Sequence, residues 1–215
     1  MTKVIPRESK RITYSSEIRQ LKTVPFTKNQ RAIIIGSVLG DGCLHANWSK
    51  TNYTLKITRS GKQEAYVEWQ YQQMKPFVRT APRWYEPTRS YTMRTISHSE
   101  LTVLYKEFYP QGKKILPQKI AKYMANPLTL AVWFMDDGNA ARSYDITHGY
   151  HINTQSFTEA EQKKIAMLFG RLWNVNCTVQ KNKGKFRVFI RSGSMTRFTD
   201  IVRSLVLPSM QYKLG

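Results

Sequence analysis

The chain contains two segments that are apolar at nearly every position, and each of them ends in Asp-Gly. The first, QRAIIIGSVLGDG, spans residues 30–42, and the second, NPLTLAVWFMDDG, spans residues 126–138. A helix that is apolar on all sides is usually buried in the interior of a protein. The pattern therefore predicts two buried helices that each end at an acidic residue.

Residues that commonly begin and end helices flank both segments. Thr27 precedes the first segment, and Asn126 with Pro127 precedes the second, which suits an N-cap and a first helical position. Gly42 and Gly138 follow the acids and are candidate C-caps. These residues predict where the two buried helices start and stop.

The two segments belong to a longer internal repeat. Aligning their Asp-Gly pairs matches Asp41 with Asp137, and strand-like and amphipathic segments follow each acid in the same order. Lys114 and Lys213 then follow at similar distances beyond the acids. Each half is predicted to run helix, strands, helix, strands, helix. The predicted organisation is a basic N-terminal extension (1–26), a first unit (27–120) and a second unit (121–215).

The composition is strongly basic. The chain has 215 residues with 34 Lys and Arg against 14 Asp and Glu, a formal net charge of +20 and a pI of about 10.1. The positive charge is spread along the whole chain, so a polyanionic partner would relieve the self-repulsion of the folded protein. Nucleic acid is the expected partner.

Several classes of protein are not expected. The longest apolar runs, residues 32–40 and 128–135, are much shorter than the roughly 20 residues that span a membrane. The N-terminal residues have no apolar stretch of the kind a secretory signal needs. Neither Cys43 nor Cys177 has a second Cys, or a His at the spacing of a metal site, nearby in the sequence. A disulfide framework is therefore not expected, and the expected compartment is a reducing one.

The acids need compensating cations. A helix C-terminus carries partial negative charge, so a carboxylate there is unfavourable without a positive partner. If the two helices pack together, Asp41 and Asp137 meet at one end. Mg²⁺ takes one or two carboxylates and completes its shell with water and phosphate oxygens, which suits phosphodiester hydrolysis.

The same segments resemble a known family. IIGSVLGDG and LAVWFMDDG are similar to the two signature helices of a single-chain LAGLIDADG homing endonuclease, and NTQSFTEAE and LPSMQYKL resemble family stretches from yeast mitochondrial introns in the same order. The resemblance runs from about residue 27 to the end. It implies an α+β fold, a pseudo-twofold saddle of two αββαββα units with the signature helices at their interface and antiparallel sheets lining a DNA groove.

The resemblance also implies an activity and its residues. It implies a Mg²⁺-dependent double-strand cut in a long DNA target that leaves short 3′ overhangs. The implied metal-binding catalytic acids are Asp41 and Asp137, the carbonyls of Gly40 and Asp136 lie beside the metals, and Lys114 and Lys213 are the basic residues near the scissile phosphates.

Two positions depart from the family pattern. Val132 replaces a small helix-packing residue, and Asp136 occupies a position that is usually small. Both departures bear on how closely the two helices cross.

Two polar residues are candidates for orienting a metal-bound water. Thr58 and Thr154 lie equally far beyond their acids and are predicted to be equivalent. Arg59 and Gln155 each follow one of these threonines. A solvated strand-end residue is the alternative role for both.

Basic and aromatic residues alternate along the strand-like segments. A spacing of two places side chains on one face of a sheet, and a β-ribbon in the major groove lets Arg and Lys reach guanine edges. The candidate DNA contacts are Arg83, Tyr85, Arg89, Tyr91 and Arg94 in the first half, and Lys181, Lys183, Lys185, Arg187 and Arg191 in the second. A solvated charged face is the alternative.

The sequence therefore predicts a monomeric, intron-encoded homing endonuclease that binds double-stranded DNA. The alternative is an RNA maturase that binds and helps to splice its own intron, in which case the acids would be dispensable. A regulatory DNA-binding protein is a third candidate, against which the acids in both halves argue. The expected location is inside the cell, in a mitochondrion, a plastid or a prokaryotic cytoplasm.

Overall fold

The computed structural model describes residues 15–215. These residues form two compact units, one of residues 15–34 and 41–106 and the other of residues 35–40 and 107–215. The units are defined by which residues pack together, and residues 35–40, at the end of the first buried helix, pack with the second unit. The boundaries predicted from the repeat remain a prediction. The predicted N-terminal extension lies largely outside the described residues.

The first unit contains a mixed set of helices and strands. Its elements are α1 (Ser16–Leu21), α2 (Lys28–Leu39), β1 (Cys43–Ala46), β2 (Tyr53–Ser60), α3 (Glu64–Met74), β3 (Arg83–Tyr85), β4 (Ser90–Arg94) and α4 (Ser99–Phe108). The last residues of α2 belong to the second unit, and α4 ends two residues beyond the first unit. The four strands pair antiparallel in the order β1-β2-β4-β3.

The second unit repeats this order of elements. After a short helix, α5 (Ile120–Met124), it contains α6 (Pro127–Asp137), β5 (Gly138–Ser143), β6 (Ile146–Ile152), α7 (Glu159–Trp173), β7 (Cys177–Asn182), β8 (Lys185–Arg191) and α8 (Met195–Val202). The strands pair antiparallel in the order β5-β6-β8-β7, which corresponds strand by strand to the first sheet. The α+β class and the αββαββα order are confirmed.

The predicted helix starts are confirmed. The Thr27 hydroxyl accepts from the Gln30 N–H at 3.2 Å, while the Gln30 side chain accepts from the Thr27 N–H at 3.0 Å. This reciprocal pair is a capping box. The Asn126 side chain accepts from the Leu128 N–H at 2.9 Å, and Pro127 occupies the first helical position.

Of the two predicted C-caps, Gly138 is confirmed and Gly42 is wrong. Gly138 caps α6 with φ −82° and ψ 151°, so it begins β5 in an extended conformation and not in the left-handed one that is common at C-caps. A Cβ on Gly138 would overlap a ring carbon of Phe134, so close approach explains this glycine. Gly42 likewise lacks a positive φ, and α2 ends three residues before it at Leu39.

One face of each sheet packs against helices of its own unit. In the first unit, Ile57 and Met93 are buried on that face together with Tyr66 of α3. In the second unit, the Phe134 ring lies edge-on to Tyr150 of β6 and Phe198 of α8 at 5.5 and 5.1 Å. The opposite face of each sheet carries the polar side chains. Within residues 15–215, no helix combines the length and apolar composition that crossing a bilayer requires.

Candidate active site

The two acids in DDG have different environments. Asp136 is 8% exposed, whereas Asp137 is half-buried and ends α6. A Cβ placed on Gly40 would lie 2.5 Å from the Asp136 Cβ, so the glycine leaves room for that carboxylate-bearing side chain. Asp136 therefore packs against the end of the first buried helix, and Asp137 is the acid that corresponds to Asp41.

The same close approach occurs one turn earlier. A Cβ on Gly36 would lie 2.7 Å from the Val132 Cβ and 2.8 Å from the Thr129 carbonyl oxygen. Val132 and Asp136 on α6 thus face Gly36 of α2 and Gly40 just after α2, with a spacing of four residues within each pair. The departures at Val132 and Asp136 do not prevent close packing, because small residues opposite them supply the space.

The two repeated lysines make the same contact in each half. Lys114 Nζ donates to the carbonyl oxygens of Leu39 and Gly40, both at 3.0 Å. Lys213 Nζ donates to the carbonyl oxygens of Met135 and Asp136 at 2.5 and 2.9 Å.

In both cases the ammonium group binds the two carbonyls that immediately precede the predicted catalytic acid. A cation at this place offsets the partial negative charge of a helix C-terminus. The carbonyls of Gly40 and Asp136, which the resemblance places beside metals, are thus hydrogen-bonded to lysines in the structure.

Arg59 forms an ion pair with the first acid. Its Nη1 lies 2.9 Å from Asp41 Oδ2, and the guanidinium carbon lies 5.3 Å from the centre of the Tyr66 ring. The arginine side chain is 1% exposed, while that of Asp41 is 55% exposed. Arg59 is therefore a buried cation beside the predicted metal ligand and not a solvated strand-end residue.

The sheet registers correct the predicted equivalence of Thr58 and Thr154. Gly138 pairs with Ile152, whereas the pairing of Cys43 with Lys56 extends to place Gly42 opposite Ile57. Ile57 thus corresponds to Ile152, and Arg59 corresponds to Thr154. The alignment by equal distance is wrong by one residue, which in a strand exchanges the two faces of the sheet.

The corresponding position in the second unit is neutral. Thr154 is fully buried, and its hydroxyl accepts from the Val188 N–H at 3.1 Å and donates to Gln162 at 2.9 Å. Asn153 donates through its backbone and its side chain to the Asp137 carbonyl at 3.0 and 2.8 Å. Gln155 donates to the Asn153 side chain at 3.4 Å, which places it two hydrogen bonds from Asp137.

The first sheet presents part of its predicted DNA-contact set on the face away from the helices. Pairing places Arg83 opposite Thr92, and Arg94 opposite Lys56, on that face, which also carries Tyr85. Tyr91 lies on the other face, and its hydroxyl donates to Glu64 of α3 at 2.8 Å. Its hydrogen bond to Glu64 raises the pKa of Tyr91.

Arg89 is not part of a strand. It lies in the β3–β4 turn with φ 47°.

The second sheet divides its predicted set in the same way. Lys185, Arg187 and Arg191 alternate with the buried residues of β8 and share the polar face. Lys181 pairs with Phe186 and therefore lies on the helix-packed face, at the exposed end of the strand. Lys183 lies in the β7–β8 turn with φ 49°.

Two polar-face residues of the second sheet were not among the predicted contacts. His151 lies 3.3 Å from Gln180 through its Nε2, and both flank Arg187. Burial, followed by the nearby Arg187 charge, holds the pKa of His151 below its ordinary value. The strand alternation contained this signal, since both residues lie in phase with Arg187 across the sheet.

The described residues supply few ligands for a metal ion. Among residues 15–215, no three His, Cys, Asp or Glu side chains cluster as a metal site. Asp41 follows α2 and Asp137 ends α6, and the neighbouring carboxylate of Asp136 is buried beside Gly40.

Each half contains an apolar helix followed by an acid, an antiparallel sheet with one polar face, and a lysine on the carbonyls at the helix end. The chain is therefore an α+β protein of two similar units, each with the same acid and lysine. The model of the LAGLIDADG DNA endonuclease family matches residues 31–198. The chain belongs to the LAGLIDADG DNA endonuclease family.

Curated relatives include endonucleases and maturases. Probable intron-encoded endonuclease 1 of Wickerhamomyces canadensis is 26% identical over 198 residues, covering 88% of this chain and 85% of the relative. Cytochrome b mRNA maturase bI2 of Saccharomyces cerevisiae is 28% identical over 215 residues, covering 89% of this chain and 48% of the relative. The chain spans about half the length of the bI2 maturases that it matches.

Solved structures share the fold. The homing endonuclease I-WcaI bound to its DNA recognition sequence has a TM-score of 0.84 and 24% identity, covering 99% of this chain and 95% of that one. A variant of I-DmoI, solved in complex with its target DNA and in the presence of Mn, has a TM-score of 0.52 and 13% identity, covering 82% and 94%.

Proposed function

We propose that this protein is a site-specific DNA endonuclease that makes a double-strand break in a long target and so promotes the mobility of its intron. The observation that carries the proposal is the repeated arrangement at the two helix ends. In each half an acid directly follows two carbonyls that are held by a lysine. Two equivalent sites are what cutting two strands requires.

The acids fit a hard divalent cation, with Mg²⁺ as the proposed ion. The Asp41 carboxylate is 55% exposed and can reach a ligand from solvent. A site with one or two carboxylates suits Mg²⁺, which keeps several waters and takes the remaining oxygens from a substrate phosphate. When bound, the ion would polarise the scissile phosphate and lower the pKa of an attacking water.

The acids and the lysines have different proposed roles at each site. Asp41 and Asp137 would hold the ion. Lys114 and Lys213 fix the two carbonyls before each acid, and their positive charge would offset the charge that develops on the phosphate. Gln155, held by Asn153, is proposed to orient a water near Asp137.

The polar sheet faces would bind the duplex. Arg83, Tyr85 and Arg94 in the first sheet, with Lys185, Arg187 and Arg191 in the second, are the proposed contacts on these faces. Arg and Lys can read guanine edges in the major groove, while most contacts of such a surface go to phosphates. Binding should therefore weaken steeply with salt.

The test is cleavage of a plasmid that carries the intronless insertion sequence of the host gene. The protein with Mg²⁺ should linearise this plasmid and leave a control plasmid without the sequence intact. Asp41→Asn with Asp137→Asn in one protein should leave the plasmid uncut while still binding it. Full cleavage by the double variant would contradict the assignment of the acids.

RNA maturation is the second candidate. Its support is the similarity to a relative named as a cytochrome b mRNA maturase, which covers 89% of this chain. Splicing of the host intron would be measured with the wild-type protein and with the double Asp variant. Splicing by the variant that cannot cut DNA would establish a separate RNA function, and no splicing by either protein would exclude it.

The protein is proposed to act as a monomer, because a single chain supplies both acids. Its proposed location is the compartment of its host gene, an organelle or a prokaryotic cytoplasm.

A further inference from the structure

The two repeated lysines make the same contact from different kinds of backbone. Lys213 ends a short 3₁₀ helix, Pro208–Lys213, whose own backbone hydrogen bonds fix it. Lys114 lies between α4 and α5, in residues 109–119, a segment that contains no helix or strand. Ordering such a segment costs conformational entropy, so contacts from elsewhere in the fold must hold it in one position.

Glu161, in the first turn of α7, supplies one of these contacts. Its Oε1 accepts from the Leu116 N–H at 2.6 Å, across 45 positions of the sequence. Its Oε2 accepts from the N–H and the hydroxyl of Thr158, both at 2.7 Å, and so closes the capping box at the start of α7. A single carboxylate therefore caps α7 and also holds the backbone two residues after Lys114.

The Glu161 carboxylate is ionised in this environment. Burial opposes its charged form, but the hydrogen bonds from Leu116 and Thr158 outweigh burial and hold the pKa of Glu161 below its ordinary value. Hydrogen bonds to a charged acceptor are stronger than those between neutral groups. The contact to Leu116 is therefore a strong one for a segment without regular structure.

Phe157, just before α7, supplies a second contact. The Lys114 Nζ lies 5.4 Å from the centre of the Phe157 ring, which is 5% exposed. Attraction between a cation and an aromatic face is stronger where water is excluded. The backbone of Phe157 is itself anchored, since its N–H donates to the Thr154 carbonyl at 2.9 Å and its carbonyl accepts from the Gln162 side chain at 3.0 Å.

We propose that Glu161 and Phe157 are positioning residues for Lys114, so that the start of α7 controls the cut that uses Asp41. The helix α7 follows Asp137 in the chain, so an element of the second half of the repeat fixes the lysine of the first. The inference rests on the proposed function for the reaction, and it concerns one of the two sites. The cut that uses Asp137 depends on Lys213 and is independent of Glu161.

The position of Lys114 can be measured without metal or DNA. Lysine amines would be acetylated at low conversion in the wild type and in Glu161→Ala, and the rate at each lysine read by peptide mass spectrometry. Lys114 should react about tenfold faster in the variant, because a hydrogen bond to a charged group that orders its segment is lost. Lys213, which makes the same carbonyl contacts, is the internal reference and should react at its wild-type rate.

The effect on the reaction is specific to one strand. A supercoiled plasmid with the insertion sequence would be cut with Mg²⁺ and excess protein, and each strand would be followed separately. In Glu161→Ala one strand should be cut about tenfold more slowly, because a small displacement of a catalytic group slows its own step. The other strand should keep its wild-type rate, so nicked circles accumulate. The slow strand should be the one that Asp41→Asn protects.

Thr158→Ala is the matched control for the helix cap. It removes the other side chain of the capping box but leaves the contact between Glu161 and Leu116 in place. The unfolding midpoint should fall, while the Lys114 reactivity and the ratio of strand rates stay at wild-type values. Phe157→Leu tests the second contact with an apolar side chain, should raise Lys114 acetylation by about threefold, and decides the matter if Glu161→Ala does not fold.

Unchanged acetylation of Lys114 in the folded variants would overturn the inference. An equal rise at Lys213, the same rise in Thr158→Ala, or equal slowing of both strands would also overturn it, because each is the effect of general destabilisation. If the wild-type protein failed to cut the plasmid, the proposed function would fall, and acetylation would still decide whether α7 positions Lys114. If the wild type cut and the variants matched it in both measurements, the inference alone would fall.

Discussion

The two halves of the molecule keep the same helix end and lysine but differ in what is buried beside the acid. In the first unit the buried partner of Asp41 is the Arg59 guanidinium. In the second unit the corresponding position is Thr154, whose hydroxyl serves the sheet and α7 through hydrogen bonds. The comparison separates what the two halves share, a lysine on the carbonyls at the helix end, from what differs between them, the polarity of a buried strand end.

The largest expected effect concerns the neighbouring acids of DDG. Asp137→Asn should lower cleavage by about 10³-fold, since metal-assisted charge stabilisation is worth several kcal/mol. Asp136→Asn should be much milder in cleavage, because Asp136 packs beside Gly40 and contributes its carbonyl to Lys213. Single-turnover cleavage with excess protein measures both. Equal losses would mean that the wrong acid has been matched with Asp41.

The crossing of the two buried helices should be the next most sensitive feature. Gly36→Ala places a Cβ 2.7 Å from the Val132 Cβ and 2.8 Å from a backbone oxygen, so it should cost about 1–3 kcal/mol of unfolding free energy. Chemical denaturation measures the loss. Gly170→Ala is the matched control, because its Cβ would meet nothing within 4 Å in α7 and should stabilise by about 0.5–1 kcal/mol.

A double-mutant cycle identifies the partner of Gly36. Combining Gly36→Ala with Val132→Gly should give a favourable coupling of about 1 kcal/mol, because the second change removes two of the three closest atoms. Purely additive effects would show that the helices separate rather than clash.

The difference between the two halves beside the acid should change the affinity of each site for a divalent ion. Arg59→Met removes the cation beside Asp41 and leaves an apolar side chain of similar length, so a divalent ion there should bind about fivefold more tightly, the equivalent of about 1 kcal/mol of screened charge interaction. Site-specific broadening of amide NMR signals by Mn²⁺ measures this near Gly42 and, as an internal reference, near Gly138.

Thr154→Val is the matched control at the corresponding position. It removes a neutral hydroxyl and should lower stability without moving the metal response near Gly138. If Arg59→Met left the response near Gly42 unchanged, the guanidinium would have no influence on the metal, and the difference between the halves would be structural only.

Much of this arrangement could be predicted from the sequence because it is written in patterns that repeat. The apolar helices, their caps, the two acids and the two lysines recur in the same order in each half. Strand alternation assigned Arg83 and Arg94 to one face of the first sheet and Arg187 to one face of the second. Spacing alone could not give the strand register. The first hairpin, from Gly42 to Ile57 opposite it, is one residue longer than the second, from Gly138 to Ile152, and this difference moves Arg59 onto the position of Thr154.

The partners of the lysines and of Arg59 were also beyond the sequence. Lys114 lies far along the chain from the carbonyls of Leu39 and Gly40, and nothing in its surroundings marks them as acceptors. The conformation of the hairpin turns could not be predicted either. Lys50 and Tyr144 occupy left-handed positions at which a Gly or Asn would have indicated a turn.

The smallest expected effect concerns a buried histidine in the first unit. His98 is 2% exposed, and its Nδ1 accepts from the Glu100 N–H at 3.1 Å, so that its Nε2 carries the proton donated to the Val24 carbonyl at 3.1 Å. Burial, which outweighs the hydrogen bond to Val24 and the Glu100 charge, holds the pKa of His98 below its ordinary value of 6.5.

The folded state therefore binds fewer protons at this ring than the unfolded state does. The stability that neutral His98 contributes is complete above about pH 6.5 and is lost as the pH falls from there through its lowered pKa. Thermal unfolding between about pH 7.5 and pH 5 should show a smaller drop for His98→Gln than for the wild type. A His98→Gln protein whose midpoint falls with acid as steeply as that of the wild type would place the pH sensitivity elsewhere, with His151 of the second unit, whose pKa is also lowered by burial, as the next residue to replace.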